Sequence, residues 1–309
     1  MAEEKEKQIN PVVTGILAVF CCVLWGSAFP CIKIGYRLFA IASEDTGSVI
    51  LFAGTRFAMA GILVILAGSL LQRRPLLPKS SEWGKIICLS FLQTSVQYFF
   101  FYIGLAHTTG VKGAIIIGSN SLLSILVASL IFRQEKLTVP KTIGCLLGFA
   151  GVALANLSGN GLDLSFSLRG EGFVFLSALS YAFSSVLIKR YSRSSDPVML
   201  SGWQFLAGGL TLSAGGFLMG GCLTRCSVPA LAMLFYLAFL SAAAYTIWGI
   251  LLKYNPVSRV SIYGFSNPVV GVLLSALLLN EGGQAFSLRN LGALALVSAG
   301  IYTVNQYQK

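Results

Sequence analysis

Ten apolar stretches alternate with short polar connections along almost the whole of this 309-residue chain. They run approximately over Val12–Lys33, Ser48–Leu71, Lys85–Ala106, Gly113–Phe132, Lys141–Leu157, Gly170–Lys189, Val198–Gly220, Pro229–Leu252, Val257–Leu279 and Ser287–Gln306. A helix needs about 20 apolar residues to cross a hydrocarbon core roughly 30 Å thick, so ten of them take up about two thirds of the chain and leave only short loops. The first run is too long for a cleaved signal peptide and lacks a small-residue cleavage site, so it reads as the first span. The pattern predicts an all-α polytopic membrane protein with ten transmembrane helices.

The last five stretches repeat the first five. Trp25-Gly-Ser-Ala-Phe-Pro-Cys-Ile-Lys33 aligns with Tyr181-Ala-Phe-Ser-Ser-Val-Leu-Ile-Lys189, and Arg56-Phe57 with Gln204-Phe205. Tyr98 falls near Tyr245, Glu135 matches Glu281, and Gly144, Gly151 and Asn156 match Gly292, Gly300 and Asn305. The chain therefore divides into a five-helix repeat at 1–157 and its copy at 158–309. Five is odd, so the copy enters the membrane from the opposite face and the repeats are inverted. Inverted repeats give two arrangements of similar energy, open to one side or the other, with a ligand site near the midplane where the halves meet. That is the logic of a carrier.

Composition agrees: hydrophobic residues make up 55% of the chain, charged residues 11%, and the mean hydropathy is +0.78, which leaves no room for a soluble domain. The formal charge of +11 comes with no basic face or aromatic platform for nucleic acid. Asymmetric placement accounts for it. With the N-terminus in the cytoplasm, the outer segments hold only Lys33, Arg37, Lys112, Arg169, Arg225 and Arg289 of the 22 Lys and Arg residues. Arg56 lies within a span and the rest are inside, so both termini of a multi-pass plasma (inner) membrane protein are expected in the cytoplasm. Cys222 and Cys226, in one outer loop, have the option of pairing; no metal-ligand or redox spacing is present.

The early W-G-S-x-F with a following lysine, Arg-Phe near the middle of the second span, and a glutamate ending spans four and nine resemble the drug/metabolite transporter superfamily. Within it, the chain is most similar to EamA-type ten-helix permeases, over roughly Ile16 to Tyr302. The resemblance implies helices one to four and six to nine around a central cavity, five and ten more peripheral, and export of amino acids or other small metabolites. Two departures stand out. The family's mid-span proline is present in helix nine as Pro268, but its counterpart in helix four is Leu122, preceded by Ser119-Asn120-Ser121; Pro30 in helix one faces Val186 in the alignment.

Arg56 lies about eight residues into its span, roughly 12 Å deep at about 1.5 Å per residue. An arginine at the bilayer centre costs about 2.5–3.5 kcal/mol on insertion scales, so something must compensate. Two roles are open: a cavity cation for a carboxylate or phosphate, or a structural tie to helix-end carbonyls and polar side chains. The resemblance favours the tie, because the family often carries arginine here whatever its substrate. None of the 11 acidic residues lies deep within a span, whereas proton-coupled carriers usually need a titrating group there. The single histidine, His107, sits at a helix end.

Helical spacing groups Trp25 with Phe29, Tyr98 with Tyr102, Asn120 with Ser124, Tyr181 with Ser184 and Ser185, Tyr245 with Trp248, and Tyr263 with Asn267. With Arg56, Gln97 and Gln204 these supply the candidate substrate-binding residues, an aromatic and amide-rich lining. Bridging between helices, at about 1 kcal/mol per hydrogen bond, is the competing role. Glu135 and Glu281 precede helices five and ten, where a carboxylate suits a helix N-terminus. Gly144-x-x-x-Gly148 with Gly151 allows close helix approach, within a monomer or at a homodimer contact.

The sequence thus points to a secondary transporter of small polar metabolites such as amino acids, an exporter or exchanger, with a small-molecule substrate and the lipid bilayer as partners. A multidrug exporter and a carrier of nucleotide sugars or other phosphorylated solutes are alternatives. A membrane enzyme or receptor is the different class. No nucleophile set, metal cluster or phosphate loop appears, so neither catalysis nor a cofactor is expected.

Overall fold

The computed structural model describes residues 10–42, 44–108, 116–156, 167–278 and 288–306, and every regular element among them is helical. Ten helical stretches occupy the ten predicted places. They are α1 (Pro11–Phe39), α2 (Thr46–Gln72), α3 (83–106), α4 (Ile116–Ile131), α5 (Val139–Asn156), α6 (Leu168–Tyr191), α7 (Pro197–Leu218), α8 (Val228–Tyr254), α9 (257–278) and α10 (Leu288–Gln306). The molecule is an all-α polytopic membrane protein.

Local chemistry sets the helix ends. Asn10 and Asp196 each accept a backbone N–H as N-caps of α1 and α7, with Pro11 and Pro197 at the first helical position, where the missing N–H costs nothing. Asp45 caps α2 through Ser48, and hydrogen bonds from that residue's side chain and backbone hold its carboxyl below the ordinary value of 3.8. α1 and α2 stop at Ala40 (φ 55°) and Arg73 (φ 52°), left-handed residues whose N–H groups satisfy the last carbonyls.

α1, α2, α6, α8 and the stretch Ser80–Leu105 are long and apolar enough to cross a membrane. Leu71 and Leu218 are 85% and 84% exposed, as suits side chains facing lipid rather than water. One face of α7 is given over to small residues that meet α2. A Cβ on Gly54 would lie 2.3 Å from the Ser213 nitrogen, on Gly61 2.4 Å from that of Leu206, and on Gly216 2.4 Å from that of Leu51. Only glycine allows such backbone approach.

Those pairings also give direction. Along α2, positions 54, 61 and 68 meet 213, 206 and 198 of α7, and position 47 meets 221 just beyond its end, so the two helices run antiparallel. α5 and α10 do the same, with Gly144 against Val304 and Gly151 against Val297 and Ala293. α2 and α7 are repeat equivalents, as are α5 and α10, so one half is flipped relative to the other. The remaining packing obeys the same two-fold rule: α1 packs on α8 and α9 as α6 packs on α3 and α4, and α2 meets α8 as α7 meets α3. The start of α1 marks one face of the bundle, called here the amino-terminal face, and its end marks the far face.

Cys222 and Cys226, which have the option of pairing, are free thiols. Two features depart from expectation. Glu135 does cap a helix, but across the halves: its carboxylate accepts the Ser258 N–H at 3.0 Å and the Ser258 hydroxyl at the start of α9, and pairs with Lys141 of α5 at 2.6 Å. Its repeat mate Glu281 lies outside the described residues. Finally, the helices respond differently to Pro30 and Pro268. α1 continues helically through Pro30. α9 narrows to a 3₁₀ turn at Ile262–Phe265 just before Pro268, whose ring and missing N–H disfavour a regular α-turn there.

Candidate functional site

The two-fold axis passes through an aromatic belt. Residues on such an axis touch their own repeat mates, and two of the pairs read from the sequence do so. Phe57 of α2 stacks on Phe205 of α7 with ring centroids 5.5 Å apart, and the hydroxyls of Tyr98 (α3) and Tyr245 (α8) hydrogen-bond at 2.6 Å. Trp25 of α1 adds edge contacts to Tyr245 at 5.0 Å and to Trp248 at 4.9 Å. Phe205 meets Tyr245 at 5.0 Å, Tyr98 meets Phe57 at 4.3 Å and Tyr102 at 6.1 Å, and Tyr181, the mate of Trp25, packs in the same cluster.

Four of the ten helices place a polar group in this belt without a partner. The indole nitrogens of Trp25 and Trp248, Nε of Arg56 and Oε1 of Gln97 are buried and make no hydrogen bond. A buried polar atom without a partner costs about 1–3 kcal/mol, so a cluster of them marks a place that something else fills. Arg56, 3% exposed, lies over the Phe57 ring at 4.5 Å and the Tyr98 ring at 5.9 Å. No carboxylate pairs with it among the described residues. The helix-end tie allowed by the sequence is not made by Nε; ring faces supply what attraction the guanidinium has.

Gln204, which stands where the other half has Arg56, is satisfied instead. Its amide donates to Gln93 at 2.9 Å and accepts from Thr94 at 3.0 Å. Both partners sit in a π-helical stretch, Ser90–Val96, in the middle of α3. The wide turn adds a residue to that face and brings both side chains onto α7, where Gly208 makes room for Thr94. The matching part of α8 is a regular α-helix, so here the halves differ.

The structure gathers Trp25, Arg56, Gln97, Tyr98, Tyr102, Tyr181, Gln204, Tyr245 and Trp248 of the predicted set. Tyr263 packs on Gly15 and Cys22 of α1 and against the core that holds Trp25 and Trp248, and α4 and α9, which carry Asn120 and Asn267, meet where Ser121 lies against Gly264. Taking the Tyr98–Tyr245 offset, Ser119-Asn120-Ser121 falls on Ser266-Asn267-Pro268, one position from the sequence pairing of Leu122 with Pro268. Both asparagine Oδ1 atoms are buried and unpaired, and each follows an interruption of its helix, a turn at Ser119 and the 3₁₀ segment ahead of Ser266. Ser184 faces its own helix, donating to the Tyr181 carbonyl at 2.8 Å, as Ser185 does at 2.9 Å. The Phe29 side chain lies outside the described residues. Missed were Phe57 and Phe205, whose repeat pairing already pointed to the axis, and Gln93 and Thr94, for which the sequence has no helix-breaking signal. A cleft of about 600 Å³ lies away from the belt, at the amino-terminal face, lined by Gln72, Arg74, Glu82, Arg193, Asp196 and Lys253 among others.

The model of the EamA-like transporter family matches residues 13–157 and again 168–306. An uncharacterized transporter of Synechocystis sp. is 30% identical over 99% of this chain and 93% of its own length. A probable amino-acid metabolite efflux pump of Escherichia coli is 27% identical over 93% of each. A WAT1-related chloroplastic protein of Arabidopsis thaliana is 29% identical over 82% of this chain, which spans 62% of that relative. A crystal structure with 17% identity superposes over 97% of this chain and 99% of its own at a TM-score of 0.76, a likeness of fold.

Proposed function

The chain belongs to the EamA-like transporter family, and from that premise we propose that it is a secondary carrier of a small polar or zwitterionic metabolite, such as an amino acid, working by alternating access at the aromatic belt. The observation that carries this reading is the group of unpartnered polar atoms on the axis, Trp25 Nε1, Trp248 Nε1, Arg56 Nε and Gln97 Oε1. A solute with a carboxylate satisfies the donors, an amide or ammonium satisfies the acceptor, and the rings cover its apolar part. Two relatives named as amino-acid metabolite efflux pumps support the substrate class and the direction, export or exchange.

The amino-terminal face is cytoplasmic in this reading and the membrane is the plasma membrane, since the Lys and Arg residues concentrate on that face. The halves 1–157 and 158–309 rock about the axis as a monomer. No described helix buries an acid in the belt, so the solute's own gradient drives transport. The test is efflux of radiolabelled amino acids from proteoliposomes with and without a pH gradient. Efflux that is saturable, indifferent to the gradient, and reduced at least about tenfold by Arg56→Gln in a folded protein is expected, the factor of one lost hydrogen bond to charge. Substrate-coupled proton flux would overturn the coupling, and full activity in Arg56→Gln would overturn the role of the arginine.

A further inference from the structure

Among the described residues, equivalent helix ends are tied differently at the two faces of the bundle. At the amino-terminal face Lys189 of α6 is buried, and its ammonium donates to the carbonyls of Leu252, at 3.2 Å, and Asn255, the last turn and cap of α8. Asn255 also accepts from Thr14 of α1 at 3.5 Å. A cation on the terminal carbonyls of a helix is held by charge and dipole together, so this lysine ties α6 to α8 at that face.

The repeat supplies a second copy of the same parts. Lys33 of α1 is the mate of Lys189, and the Tyr98–Tyr245 offset places Leu105 and Thr108, at the end of α3, opposite Leu252 and Asn255. Here the bond is not made. Lys33 is exposed and makes no hydrogen bond to either carbonyl, and among the described residues α1 and α3 lack the close backbone approach that α6 and α8 make, meeting instead through side chains such as Tyr36 and Tyr102. The lysine-to-carbonyl bond is made on one face and not on the other.

We propose that Lys33 and Lys189 are alternating latches. In the arrangement seen here Lys189 is engaged at the amino-terminal face and Lys33 is not engaged at the far face; in the opposite arrangement Lys33 caps the carbonyls of Leu105 and Thr108 and Lys189 lets go of α8. The inference rests on the alternating-access reading and adds the residues that set its balance. Each lysine is a positioning residue: it touches helix ends, not the belt.

The test uses repeat-equivalent spin-label pairs in a cysteine-free, full-length protein in lipid nanodiscs, Ile34→Cys with His107→Cys on the far face and Arg190→Cys with Tyr254→Cys on the amino-terminal face. Pulsed dipolar spectroscopy then reads two distance populations per pair. Lys189→Met is expected to raise the short far-face population relative to the long one by about tenfold, the low end for hydrogen bonds to a charged group. Lys33→Met shifts it the other way, and Lys→Arg at either position restores most of the balance. If the two faces exchange populations in the parent protein but neither lysine substitution moves them, the latch is wrong and alternating access stands. If the faces do not exchange at all, both fall.

Discussion

The antiparallel contact of α2 with α7 makes a quantitative prediction about glycine. In Gly54→Ala the new methyl would sit 2.3 Å from the Ser213 nitrogen and 2.8 Å from the Gly209 carbonyl oxygen, and in Gly209→Ala 2.2 Å from the Ala58 nitrogen. The obstacle is backbone in each case, so no rotamer change relieves it. To reach ordinary contact at 3.4 Å the helices must part by about 1.1 Å at Gly54. A gap of about 0.5–1 Å already forfeits a quarter to a half of the dispersion attraction along the seam. Overpacking of this kind costs about 1–3 kcal/mol. Gly84 and Gly215 meet nothing within 4 Å at the same construction, so Gly84→Ala and Gly215→Ala should be neutral or slightly stabilising through helix propensity. Equilibrium unfolding in mixed SDS and mild-detergent micelles, followed by circular dichroism, measures all four. The double substitution Gly54→Ala/Gly209→Ala should cost less than the sum, because helices already parted by one methyl accommodate the second. If Gly54→Ala matches Gly215→Ala within about 0.5 kcal/mol, the two helices do not meet as described and the inverted arrangement loses its main support.

Further expectations concern single bonds. In a double-mutant cycle, Tyr98→Phe and Tyr245→Phe should couple by about 0.6 kcal/mol, the typical worth of a hydrogen bond between membrane helices, and additive effects would mean the hydroxyls do not meet. The pair Glu135–Lys141 is about nine-tenths buried, so Lys141→Met alone should destabilise by about 3–5 kcal/mol and Glu135→Gln/Lys141→Met by less, as read by the same unfolding assay. Asp45 is depressed by its bonds to Ser48; its contribution is therefore complete above the ordinary carboxylate value and lost as pH falls through the lowered one. Asp45→Asn should flatten that part of the stability profile, and identical acid profiles would show the cap to be energetically silent.

Span positions were legible because a bilayer imposes a length that any apolar run must meet. The inversion was legible because five is odd and the motifs survive in both copies, down to the Phe57–Phe205 and Tyr98–Tyr245 pairs that now touch. Other features are set by partners far away in the chain. Nothing near Glu135 tells that it reaches Ser258, 123 residues on, rather than the helix that follows it. The π turn around Gln93 has no proline or glycine to announce it; it reflects packing against Gly208. Spacing placed Ser184 on one face with Tyr181, but a serine in a helix often satisfies itself on the preceding turn.

Counterflow measures most directly whether a solute site faces each side in turn. Proteoliposomes holding the purified protein are loaded with an unlabelled amino-acid mixture and diluted into trace labelled mixture. Alternating access produces a transient overshoot, label accumulating inside above its final level while unlabelled solute leaves, and Trp248→Ala or Arg56→Gln diminishes it. Label that merely equilibrates, without overshoot, would describe an open pore, and label that never enters would separate this aromatic belt from transport.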